Sequence, residues 1–226
     1  MINSALKKWQ NLSRTEKQAH IPEHGKMDTK YHRARPNGAV IIKTVTRALE
    51  HNNVGHSHIT QNIPGKLAAI DHLWLRTQEL QKIHQIISQG GGPLPPQITY
   101  RIARYHLTDN TRGEPPFWKK DEIRNIHIHI NQIGKLTGAF ELNTQDAKRG
   151  YTGTLEGTVK FNGKQLSNLQ ILALGKHWGE GRYTRGARPG KKPLGIYFEL
   201  VQNPQPADTI PPQGIHWEPG YWNPSQ

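Results

Sequence analysis

The chain is 226 residues long, which suits one domain of ordinary size with extensions. It contains no cysteine, so disulfides, thiolate metal sites, iron–sulfur clusters and cysteine nucleophiles are all excluded. Thirty Lys and Arg stand against seventeen Asp and Glu, a formal +13 that attracts polyanions and repels itself unless a partner or counterions screen it.

The excess is uneven. Residues 1–50 hold ten bases and four acids (+6), and residues 151–200 hold eight and three (+5). Residues 201–226 have two acids and no Lys or Arg. The N-terminal residues lack the apolar core of a signal peptide, and no run is long enough to span a bilayer. The expectation is a cytoplasmic protein without a membrane span, or an exported one if a leader is missing.

In chain order, residues 2–19 read as a charged helix, with Leu6, Trp9 and Leu12 near helical spacing. Polar residues 20–38 read as a linker or arm. Residues 39–46 predict a strand entered through the Asn37-Gly38 turn signal, and 54–60 a second, shorter one. Thr77 is a candidate N-cap for a helix over 77–88, with Leu80, Ile83, Ile86 and Ile87 on one face and a Gly-Gly-Gly-Pro stop at 90–93. Pro95-Pro96 leads into a helix over 97–106, and 112–116 reads as a loop.

The pattern then changes to period two. Strands are predicted over 123–130, 136–142, 151–161, 166–174 and 194–201, with the strongest hairpin signal at Asn162-Gly163. Consecutive strands without helical crossovers imply an α+β fold: a mainly antiparallel curved sheet or half-barrel of five to seven strands, with two short covering helices. Three regions follow: a basic arm over 1–35, a single α+β domain over 36–203, and an extended Pro/aromatic tail over 204–226 that either packs back or docks on a partner.

The most unusual stretch runs from Trp178 to Lys192. Arg182, Arg185, Arg188, Lys191 and Lys192 interleave with Gly, Tyr183 and Trp178. Guanidinium forks match phosphate geometry, Gly exposes backbone N–H groups, and aromatic faces stack on bases. With Lys7, Lys8, Arg33 and Arg35 of the arm, these residues predict contact with RNA, DNA or another polyanion. No Walker motif, dinucleotide fingerprint or nucleic-acid-reading signature accompanies them, so the contact would be backbone-directed.

Two other readings stand beside it. His127-Ile128-His129 places two imidazoles on one strand face, and His56-Ser57-His58 repeats the spacing, so a zinc-like divalent metal would fit if a third ligand joined them. That would make a metal-dependent enzyme or metal-binding protein. Alternatively, Trp217 to Trp222 could dock a protein partner, making the chain a structural subunit of a larger complex. Glu114 with Asp121 or Glu122, near Trp118, is a further candidate pair for sugar chemistry.

Overall fold

In the computed structural model, the described residues are 2–19, 33–51, 57–58 and 68–224. They belong to two units, Met1–Ala34 and Arg35–Gln226.

The first unit holds α1 (Ile2–Asn11) and α2 (Arg14–Ala19), where the sequence suggested one continuous helix. The break has a local cause. Ser13 N–H donates to Glu16 Oε2 at 2.8 Å and Glu16 N–H donates to Ser13 Oγ at 3.2 Å. This reciprocal capping box starts a new helix at Arg14. No residue of α1 is buried, so Ile2, Leu6 and Trp9 are exposed beside Lys7 and Lys8. Most of the predicted linker lies outside the described residues.

The second unit opens with β1 (Val40–Ala48), β2 (Glu50–His51), β3 (Ser57–His58) and β4 (Ala68–Leu75). Then come α3 (Thr77–Ser88), β5 (Gly91–Pro93), α4 (Pro96–Arg101) and β6 (Ile123–Asn131). β7 (Lys135–Asn143), β8 (Gly150–Asn162), β9 (Gln165–Trp178), β10 (Lys192–Leu200) and α5 (Glu218–Trp222) complete it. Eight strands form one open antiparallel sheet in the order β4-β1-β10-β9-β8-β7-β6-β5, while β2 and β3 pair separately. The expected class holds, but five to seven strands was too few.

The two flanking strands explain the shortfall. β4 reads Ala-Ala-Ile-Asp-His-Leu-Trp-Leu, and buried Asp71 and His72 interrupt its apolar alternation. β5 is Gly-Gly-Pro, which resembles a helix stop yet pairs with Ile130 and its neighbours on β6. The five period-two strands form the continuous meander β6 to β10, with Asn162 opposite Gln165 around Gly163 at φ +58°. Alternate residues of these strands, such as Ile128, Leu155, Ile196 and Phe198, pack with Ile83 of α3 and Ile98 of α4 in one core.

Helix ends differ by small shifts. Arg76, rather than Thr77, is the N-cap of α3, because its N–H donates to Glu79 Oε2 at 2.8 Å. The helix over 97–106 widens into a π-turn at Ile102–His106, closed by Leu107 N–H on Ile102 O at 2.9 Å.

The tail returns to its own domain. Ile215 and Tyr221 are only 1% and 0% exposed. Trp74 N–H on edge strand β4 donates to the Tyr221 hydroxyl at 3.4 Å, and Gln213 N–H donates to Asp71 Oδ1 at 2.8 Å. Lys43 Nζ lies 2.9 Å from Asp208 Oδ1. The tail thus occupies polar groups on an edge that would otherwise invite another strand. No helix among the described residues is long and apolar enough to cross a membrane.

Candidate functional site

β9 and β10 stay paired as far as His177 opposite Lys192, and residues 179–191 form the loop that joins them at that end of the sheet. Gly179 adopts φ +78° and turns the chain out of β9. Two arginines then hold the loop from inside. Arg112, from the segment after the π-turn, donates through Nη1 to Thr184 O and through Nη2 to Gly179 O at 3.2 Å. Its Nε donates to Asp109 Oδ2 at 3.0 Å. Asp109 is itself fixed by Thr111, whose hydroxyl and N–H donate to Oδ1 at 2.6 and 3.1 Å. Arg188 donates to Leu49 O at 2.6 Å and Pro193 O at 2.7 Å, tying the far side of the loop to the ends of β1 and β10.

Internal bonds complete the turn. Gly181 N–H donates to Thr184 Oγ1 at 2.8 Å. Glu180 accepts from Arg185 Nη1 and Gly186 N–H, both at 2.8 Å. The Arg185 hydrogen bond, followed by the loop N–H groups, holds the Glu180 carboxyl below its usual pKa.

The sequence-predicted residues therefore divide. Arg182, Tyr183, Arg185 and Lys191 are exposed, whereas Arg188 and Lys192 are half-buried. Trp178 is half-buried, donates Nε1–H to Ala147 O at 3.0 Å, and carries Lys191 Nζ 4.2 Å from its ring centroid. Gly150 opposite makes this possible, since a Cβ there would collide with the Trp178 ring. Arg182, Lys191 and Lys192 form no ion pair with a carboxylate among the described residues. In the arm, Lys7 and Lys8 are exposed and Arg33 is half-buried; Arg35, exposed, belongs to the second unit.

Asp109, Arg112, Arg149 and His177 were not singled out by spacing as one site, because they meet only through the fold. His177 Nδ1 lies 4.0 Å from Asp109 Oδ2 beneath the loop. Burial, reinforced by Arg112, Arg149 and Arg188, pushes the imidazole pKa down to about 4 despite the neighbouring carboxylate. The recess lined by Asp109, His177, Arg112 and Arg188 leaves about 10 Å³, room for about one water. A neutral imidazole beside a carboxylate suits general-base work, yet no substrate fits there. This cluster is the loop's foundation.

That foundation is acid-sensitive. The unfolded chain protonates His177 near 6.5 and the folded chain only near 4, so stability is present above that window and declines as pH falls through it. His72, lowered mainly by burial, adds in the same direction. The urea midpoint should fall between about pH 6.5 and pH 4, and His177→Gln should remove much of that slope. A wild-type midpoint flat across the window contradicts the assignment.

The other candidates are not brought together. His127 and His129 are both exposed on β6, and among the described residues no group of three or more His, Asp or Glu could hold a metal. His56 lies outside the described residues; His58 is described only as backbone in β3. Glu122 is buried, 3.9 Å from Arg149, whereas Asp121 accepts from Gln145 and Glu114 is exposed. Trp118 is buried under the Arg149 guanidinium, 3.9 Å from its ring centroid. Asp121 and Glu122, two of these carboxylates, are thus engaged with partners of their own.

In comparison with known proteins, the chain matches no family model, no curated protein and no solved structure at a significant level.

Proposed function

We propose that the protein binds a polyanion, the phosphate backbone of RNA or DNA, through the 179–191 loop, with the basic N-terminal arm adding contacts. The observation that carries this reading is a division of labour among arginines. Arg112 and Arg188 spend their donors on carbonyls of the loop and of the strand ends beside it, while Arg182 and Lys191 stay exposed with no carboxylate partner among the described residues and exposed Arg185 pairs with Glu180 of the same loop. Cations held this way lose less freedom on binding than cations on a flexible loop. A chain whose base excess served only solubility would have no need to anchor them.

An acidic protein assembly would satisfy the same charges, but Arg forks favour phosphate oxygens, which accept two parallel hydrogen bonds. The hydrogen bonds of the tail to β4 weigh against the tail as the principal docking element. Titration of an inorganic polyphosphate at rising salt tests the proposal: affinity should fall steeply through counterion release. Affinity independent of salt rejects it.

A further inference from the structure

Resting on the polyanion reading, we infer that Tyr183 is a stacking platform for an unpaired nucleobase, so that the bound polyanion is a single-stranded nucleic acid. The residue is 65% exposed, more than any other Phe, Tyr or Trp among the described residues. Exposure alone would mean little. What distinguishes this ring is the rigidity of the backbone beneath it.

Three contacts fix that backbone. The Thr184 carbonyl, one residue on, accepts from the buried Arg112 guanidinium. The Gly181 N–H is tied to Thr184 Oγ1 at 2.8 Å, and Thr184 itself is only 2% exposed. Behind the ring's own peptide stands Gly113, at φ +134°, where a Cβ would come within 2.6 Å of the Tyr183 carbonyl oxygen. The exposed ring thus stands on a backbone that is hydrogen-bonded on both sides of it and closely backed by Gly113.

Its surroundings fit a strand whose bases are free. The Arg182 guanidinium sits over one face of the Tyr183 ring, 5.3 Å from its centroid, so a base would stack on the other face or displace it, and Arg185 and Lys191 stand on the same loop for adjacent phosphates. A duplex hides its base faces within the stack, and a base-free polyanion has none to offer. Only an unpaired base uses both the π-face and the cations.

The test uses the full chain and four probes at low salt: oligothymidylate and oligouridylate of about twelve nucleotides, an abasic strand of equal length, and inorganic polyphosphate. Tyr183→Ala should weaken binding of one or both base-bearing strands about ten-fold, leave the abasic strand and polyphosphate within about two-fold, and be rescued by Tyr183→Phe. Loss on only one strand supports the inference and shows which of the two strands is preferred. The thermal midpoint of Tyr183→Ala should be unchanged, since little of the ring is buried. Equal weakening on all four probes, or no weakening on either base-bearing strand, overturns the platform while leaving polyanion binding intact. Wild-type protein that binds no polyphosphate overturns both.

Discussion

Removal of residues 204–226 should unfold the second unit, and Tyr221→Ala alone should cost about 4 kcal/mol, within the range for deleting a buried aromatic side chain. The ring is fully buried and packs against Tyr105, His106 and Trp222 at centroid distances of 5.3, 5.9 and 5.1 Å. The Arg101 guanidinium, itself 0% exposed, lies 5.2 Å from the same centroid while its Nη2 donates to Glu79 Oε1 at 2.7 Å. The hydroxyl adds a bond from Trp74 N–H and meets His106 Nε2 at 3.2 Å. Tyr221→Phe should be milder, about 1 kcal/mol, because it removes the hydroxyl and keeps the packing. Against a typical total of about 5–15 kcal/mol, the alanine variant uses up much of the margin. Urea denaturation reads all three proteins. A truncated chain with an unchanged midpoint would show that the tail is an appendage.

Arg112→Met should be comparably severe and would act on the candidate site directly. It removes the donors to Thr184 O and Gly179 O and strips Asp109, a side chain about nine-tenths buried, of its closest cation. Breaking a buried ion pair from one side costs about 3–5 kcal/mol, because an uncompensated charge remains. Asp109→Asn added to Arg112→Met should therefore recover part of the loss, a departure from additivity expected of partners in contact. Hydrogen exchange gives a local readout: Gly181 and Gly186 N–H groups, bonded within the loop, should lose protection in Arg112→Met. Polyphosphate affinity should fall several-fold with it, although no exposed cation has been removed. Retained protection at both glycines would mean that the loop does not depend on its buried arginine.

The sheet was legible wherever one strand face meets solvent. Ile128 and Ile130 inward with His127 and His129 outward is the period-two pattern of β6, whereas in β10 Pro193 to Ile196 are all buried and the alternation resumes only at Tyr197 and Phe198. It failed on β4, because Asp71 and His72 are buried polar residues whose partners, His106, Asp208 and Gln213, are remote in sequence. Composition identified the cationic loop but not its orientation. Arg182 and Arg188 are equivalent as letters, yet one faces solvent and the other bonds two carbonyls at the ends of neighbouring strands. Nor could the Asp109–His177–Arg112 foundation be read from spacing, since it joins segments more than sixty residues apart. The only local hint was Asp109 followed by Thr111, a pairing that favours an Asx turn.

From composition alone, thirteen histidines predict that mild acid adds charge and tightens polyanion binding. Burial of His177 and His72 works against that charging, since it lowers the pKa of both imidazoles.

The slope of log affinity against log salt for polyphosphate, in wild type and in a variant with Arg182, Arg185 and Lys191 all changed to Gln, decides whether the loop carries the binding. A slope of about −0.7 per phosphate neutralised on a single strand gives about −2 for the three loop cations alone, or roughly a 40-fold loss between about 50 and 300 mM salt. The triple variant should be shallower by about that amount, while Lys160→Gln with Lys164→Gln, near the opposite end of the β8–β9 hairpin, should match wild type. Equal slopes for wild type and the triple variant would contradict the account, because binding would then owe nothing to the loop.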